Sequence, residues 1–204
     1  MKRAGYYFVA LIIAIYLIAL YAVASNAIIG SMNFGVRVFA LTGFYFLAWA
    51  ALMSPFLIEI SRKFGTSFIR LHHAFAIVGL VSTVAHPIVL SIQIASLAIF
   101  VPSFGSLDGF FRNGGRVAIY IILFSALVAV FRKRLGRSWR PLHAIIYIAF
   151  ILAIVHGALI GNDFRDPAII AIFYGLFAAT MGALVLKRYR NYSKRKKADS
   201  SKAK

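Results

Sequence analysis

Six stretches of this chain are apolar over roughly the length that a helix needs to cross a bilayer, about 20 residues at 1.5 Å rise each. They run from about Gly5 to Ile29, Val36 to Ile60, Ser67 to Ser91, Arg116 to Phe131, Arg134 to Gly157 and Ala168 to Leu186. Hydrocarbon offers no water to satisfy backbone amides, so such stretches fold as helices. The mean hydropathy of +0.85 excludes an ordinary soluble domain. The expected fold is therefore all-α: a polytopic six-helix transmembrane bundle over residues 1–186. A hydrophilic basic tail, residues 187–204, is expected to be disordered. The first stretch is too long for a signal-peptide core and lacks a clear cleavage motif, so it reads as a retained span. Ser54-Pro55 is placed to kink the second span, and Pro87 to free a carbonyl beside His86.

Charge supplies the orientation. The net charge of +18 would suit nucleic acid in a soluble protein, but it is unevenly shared between the two faces. Nineteen of the 23 Lys and Arg fall on one side, and only Arg37, Arg112, Arg116 and Arg165 on the other. By the positive-inside rule both termini are cytoplasmic in a multi-pass cell-membrane protein, with no nucleic-acid partner expected and the tail suited to anionic lipid.

Four of the five histidines lie within spans. His72 and His86 are fourteen residues apart in the third, and His143 and His156 thirteen apart in the fifth. Either spacing is about 20 Å of helix, so each span carries one imidazole near either end. The orientation puts His72 and His143 towards the cytoplasm, His86 and His156 towards the outside. Ionisable groups at such depth are costly and mark function. Two stacked pairs of neutral imidazoles suit haem, held non-covalently because there is no cysteine. Zinc fits poorly, since histidines so far apart cannot share one ion and no acid or thiolate accompanies them.

On an ideal helix His72 and His86 differ by about 40° in direction, and His73 and His86 by about 140°. Facing therefore selects His72 and leaves His73 for a propionate, a partner helix or the headgroups. His143 and His156 also differ by about 140°, which requires a wide turn, a tight turn or sites on different sides of that helix. Arg70, Arg116 and Arg165 lie near haem-edge depth, and either pair with propionates or snorkel to the interface. Gly79 and Thr83 share the face of His72, where small side chains admit either a porphyrin or a neighbouring helix. Trp139 reads as an interfacial anchor, and Tyr147 and Phe150 as bridging or packing groups between the two depths. The segment from Ile92 to Gly115 reads as an interfacial loop or short helix over the outer site.

The segment RLGRSWRPLHAIIYIAFILAIVH, with the paired histidine spacings, resembles the ferric reductase-like transmembrane family. That family includes ferric reductases, the membrane domains of NADPH oxidases and the haem-binding subunit of the bacterial methionine sulfoxide reductase system. The likeness covers spans two to six. It implies that His72 and His143 hold an inner b-type haem and His86 and His156 an outer one. The chain departs from the pattern in two ways. Four histidines are more oxidase-like than the bacterial subunit, which usually lacks the His72 equivalent. The flavin and NADPH domains of the oxidases are not in this sequence.

The resemblance implies an oxidoreductase, or an electron-transfer subunit that lacks its own flavin and NADPH domain. Electrons would pass from a cytoplasmic flavoprotein or quinol to an acceptor outside: ferric iron, oxygen or a partner reductase. Flavin or quinone would enter through a partner or at the membrane face. One alternative is a subunit dedicated to an extracytoplasmic methionine sulfoxide reductase. A more distant one is a non-redox transporter or scaffold, against which stands the lack of repeated broken helices and buried acids.

Overall fold

The computed structural model describes residues 2–28, 30–65 and 68–202. Among these there is no strand. Helix α1 (Arg3–Ser25) is followed by α2 (Met32–Met53), whose first turn is capped by Ser31 accepting from the Phe34 amide at 3.1 Å. A 3₁₀ turn over Ser54–Phe56, at the expected Pro55 kink, divides α2 from α3 (Leu57–Phe64). Gly65 ends α3 with φ 64°, a left-handed conformation that costs glycine little. Helix α4 (Phe68–Gln93) carries Pro87 inside it.

The segment after α4 forms a 3₁₀ turn (Ala98–Phe100) and the short α5 (Leu107–Arg112). Then come α6 (Gly114–Val130), α7 (Arg132–Leu135), α8 (Trp139–His143), α9 (Ile146–Ile160) and α10 (Pro167–Lys202). The expected span limits at Ile29 and Ser67 lie outside the described residues.

Among the described residues five helical stretches are long and apolar enough to cross a membrane: Arg3–Ser25, Met32–Phe64, Ile69–Gln93, Arg132–Ile160 and Pro167–Ser193. That is the character of a multi-pass membrane protein. The expected fourth span, α6, is apolar but only 17 residues long. The tail departs from expectation, because α10 continues to Lys202 where disorder was expected. After Gly182 it contains no glycine or proline to break it, and its Lys, Arg and Ala favour helix.

Helices in lipid gain little from burying apolar faces on one another, so close approach depends on small residues. Helix α2 is central, packed by α1, α4 and α10. A Cβ on Gly43 would lie 2.5 Å from Thr83 Oγ1, and one on Gly79 2.7 Å from the Leu47 amide nitrogen. Gly79 thus serves the α2–α4 contact; of its two readings, helix packing holds. Tyr45, 1% exposed, donates to the Ile12 carbonyl at 2.6 Å and ties α1 to α2. The second group is α6 on α8 and α9, with α5 against α9. Here Gly114 brings α6 to within 3.2 Å (measured from a built Cβ) of the Leu152 carbonyl. His72 and His86 belong to the first group, His143 and His156 to the second.

Candidate functional site: two histidine pairs across the bundle

Each of the four histidines is held the same way. His72 Nδ1 lies 3.1 Å from the Ala50 carbonyl and His86 Nδ1 2.9 Å from that of Val36, both on α2. His143 Nδ1 lies 2.9 Å from the Ser125 carbonyl on α6, and His156 Nδ1 2.6 Å from that of Arg112 at the end of α5. A carbonyl has no proton to give, so Nδ1–H is the donor in all four. In the neutral ring that leaves the lone pair on Nε2, the form in which imidazole binds a metal. Ser125 adds a second tie by donating Oγ–H to the His143 carbonyl at 2.7 Å.

The sequence puzzle in the fifth span has a local answer. Ala144 and Ile145 form a tight turn between α8 and α9, with Ile145, Tyr147 and Ile148 each donating to the carbonyl three residues back. Each such residue adds about 20° to the winding, so three reduce the offset between His143 and His156 from about 140° to about 80°. The two rings then address the same group of helices. Of the alternatives left open by the spacing, the tight turn is the one present.

At one end of the bundle the His72 and His143 ring centres are 6.4 Å apart, with planes crossing at 72°. Two imidazoles on opposite sides of one metal, with nitrogen–metal bonds of about 2.0–2.1 Å, have centres about 6 Å apart. Trp139 packs on His143 at 5.9 Å. His73 is exposed on the neighbouring position.

At the other end His86 and His156 line a cavity of about 390 Å³, within the usual range of cofactor sites. Thr83, Phe44 and Phe150 line it too, and His72 and His143 do not. Gly115 is a decisive wall residue: a Cβ there would sit 2.8 Å from His156 Nε2. Glycine leaves open the space beside the nitrogen that carries the lone pair.

The segment over this cavity is strapped down. Arg116 donates to the Ala98 and Val101 carbonyls at 3.0 and 2.9 Å, and the Tyr120 hydroxyl to that of Phe100 at 2.7 Å. Of the two arginines expected near a haem edge at this end, Arg116 lines the cavity and Arg165 is exposed and outside its lining; Arg70, expected at the other end, is exposed.

Sequence reasoning missed Arg37 and Asp163, which form a partly buried ion pair in the cavity wall, with Arg37 Nε 3.0 Å from each carboxylate oxygen. Arg37 also donates to the Asn26 carbonyl at 2.9 Å. The signal was a lone cation one residue inside an apolar run, which needs a partner, with the acids on its side of the bundle lying in the polar connections.

Tyr147 and Phe150 occupy the space between the two ends. Phe150 is 2% exposed and meets Tyr147 and Phe44 at 6.2 and 5.8 Å between ring centres. Among the described residues no three His, Cys, Asp or Glu side chains converge on one point, so a bare ion has no cage. A haem asks the protein for only two ligands. Comparison with family models, curated proteins and solved structures gives no match to this chain.

Proposed function

We propose that this protein carries electrons across a membrane through two b-type haems, one held by His72 and His143 and the other by His86 and His156. The observation that carries the reading is the shared tautomer: four histidines, on two helix groups, each turn Nδ1–H to a backbone carbonyl. A histidine that merely packed could bond a carbonyl through either ring nitrogen, and here all four use Nδ1. The 6.4 Å ring separation at one pair and the Gly115 opening at the other add support.

Haem iron takes up and gives away one electron at a time, and axial ligation by two histidines favours that over binding oxygen at the metal. The chain's own part is to bind, orient and exclude water. Ala50, Val36, Ser125 and Arg112 hold the imidazoles in register through their carbonyls. Phe44, Phe150 and Tyr147 keep the interval between the sites dry. The Arg116 strap covers one of them.

The division of basic residues puts both termini and the His72–His143 end on the cytoplasmic side, with α6 counted as a sixth span. Electrons then enter there from a flavoprotein or quinol and leave at the His86–His156 end to ferric iron, oxygen or a partner reductase. The likeness of the fifth span to ferric reductase-like proteins supports the same direction.

A pyridine haemochrome assay on protein folded with haem supplied tests this. Two haems per chain are expected. No haem in a folded preparation would sink the redox reading, and one haem would remove one of the two sites.

A further inference from the structure

A second cavity, of about 320 Å³, lies between α1, α2 and α3 and takes no part in the sites above. The 3₁₀ turn over Ser54–Phe56 breaks the line of α2 here, and Phe56 lines the space. The Lys2 amide donates to the Phe64 carbonyl at 2.8 Å and holds the start of α1 to the end of α3.

The walls are aromatic. Phe8 stacks on Phe64 with ring centres 4.8 Å apart and meets Trp49 edge-on at 5.9 Å. Glu59 and Lys63, both exposed, stand at the edge, and the rest of the lining is apolar but for one N–H. That group is Trp49 Nε1–H, buried and without an acceptor among the described residues.

A buried donor left unpaired is costly. Water does not settle against a single donor in an apolar space, because it needs two or more polar partners. A lipid acyl chain fills such a space and brings no oxygen into it. A flat ring with a carbonyl or hydroxyl oxygen does both, its faces against aromatic walls and its oxygen on the N–H. Trp49 also precedes Ala50, whose carbonyl holds His72. Cavity and histidine thus share one turn of a helix about 10 Å across.

We propose that this cavity binds the ring of a membrane-soluble quinone or quinol, with one ring oxygen accepting from Trp49 Nε1–H. Its use as the point where electrons enter rests on the haem reading above. There the quinol gives two electrons, one at a time, to ferric haem at the His72–His143 pair. Its two protons go to water at the Glu59 edge, and it leaves as the quinone.

The probe is a decyl-substituted para-benzoquinone, titrated into haem-free full-length protein in neutral detergent. The chain has two tryptophans, and Trp139→Phe leaves Trp49 emission as the reporter. Saturable quenching is expected, whereas Trp139 emission in a Trp49→Phe variant should fall only in proportion to added quinone. Decylbenzene, which has the ring and chain but no oxygen, should bind at least about tenfold more weakly, read by displacement of the quinone. Leu52→Phe adds bulk to the lining and should weaken quinone binding by a similar factor. The decylbenzene comparison uses the unaltered cavity, so it decides the matter even where that variant folds poorly.

Quenching that never saturates, or equal binding of decylbenzene and the quinone, overturns the proposal. Displacement of the quinone by phosphatidylcholine at equal mole fraction also overturns it and assigns the cavity to acyl chains. None of these titrations needs haem, so failure of the haem reading and failure of this site are distinguishable.

Discussion

The two histidine pairs are chemically alike and built differently. At the His72–His143 end the ring centres are already 6.4 Å apart, edge to face, and helices hold them: α2 behind one, α6 behind the other. At the His86–His156 end the rings share a cavity of about 390 Å³, and part of the wall is connecting segment. His156 leans on the last residue of α5, and the 3₁₀ turn above is tied by Arg116 and Tyr120. One site is set by helix packing, the other by a strap. Rigid helices fix a geometry closely, whereas connecting segments open at lower free-energy cost. The difference predicts that ligand and solvent exchange occur mainly at the strapped end.

The largest test is removal of ligands. His86→Ala and His156→Ala should each lose the same haem, and His143→Ala the other, so each single variant retains about half the haemochrome signal of a two-haem protein. Loss of both haems from every variant would show that the pairs are one cooperative unit.

The sidedness of the comparison can be broken almost as decisively. The native chain has no cysteine. A cysteine placed at Asn162 should react with an impermeant reagent from outside, and one at Ser138 should not. The reverse pattern would invert the proposed direction of electron flow.

Gly115→Ala is expected to strike the strapped site alone, because its Cβ would fall 2.8 Å from His156 Nε2. Haem at that pair should bind at least about tenfold more weakly, in line with the cost of overpacking. Gly175→Ala, where a Cβ meets nothing within 4 Å, is the control and should bind both haems.

A smaller effect is expected from Arg116→Gln. It removes charge-assisted bonds to two carbonyls of the turn, so amides from Ala98 to Val101 should exchange with solvent about tenfold faster or more. Amides of α2 around Ala50 should be unaffected. Equal acceleration at both ends would remove the distinction between packed and strapped sites. Ser125→Ala should have the least effect, because the Ser125 carbonyl still accepts from His143 Nδ1 when the hydroxyl is gone. A loss of about 1 kcal/mol or less in thermal stability is expected, with both haems retained.

Much of this was legible in the sequence because it depends on spacing. Five of the six expected spans, and the meeting of His72 rather than His73 with His143, follow from residues per turn and rise per residue. The tight turn at Ala144–Ile145 was visible only as a contradiction: thirteen residues put His156 on the wrong side of a regular helix. Gly79 shares a face with His72, and a face does not reveal which neighbour it meets; that neighbour is α2. Arg37 was counted as a charge at the edge of a span, although its partner lies 126 residues away in a turn. The tail looked disordered because hydrophilic composition removes the drive to bury surface, yet it does not forbid a helix that continues from an existing one.

The clamps on the histidines are main-chain atoms, and this determines what mutagenesis can see. An alanine scan through Val36, Ala50 or Arg112 would leave every accepting oxygen in place and could return silence at positions that orient the chemistry. The same anonymity lets such positions drift through many side chains without disturbing the imidazoles. A site anchored in this way leaves its record in helix register, and only an insertion or deletion of one residue in α2 or α6 would erase it.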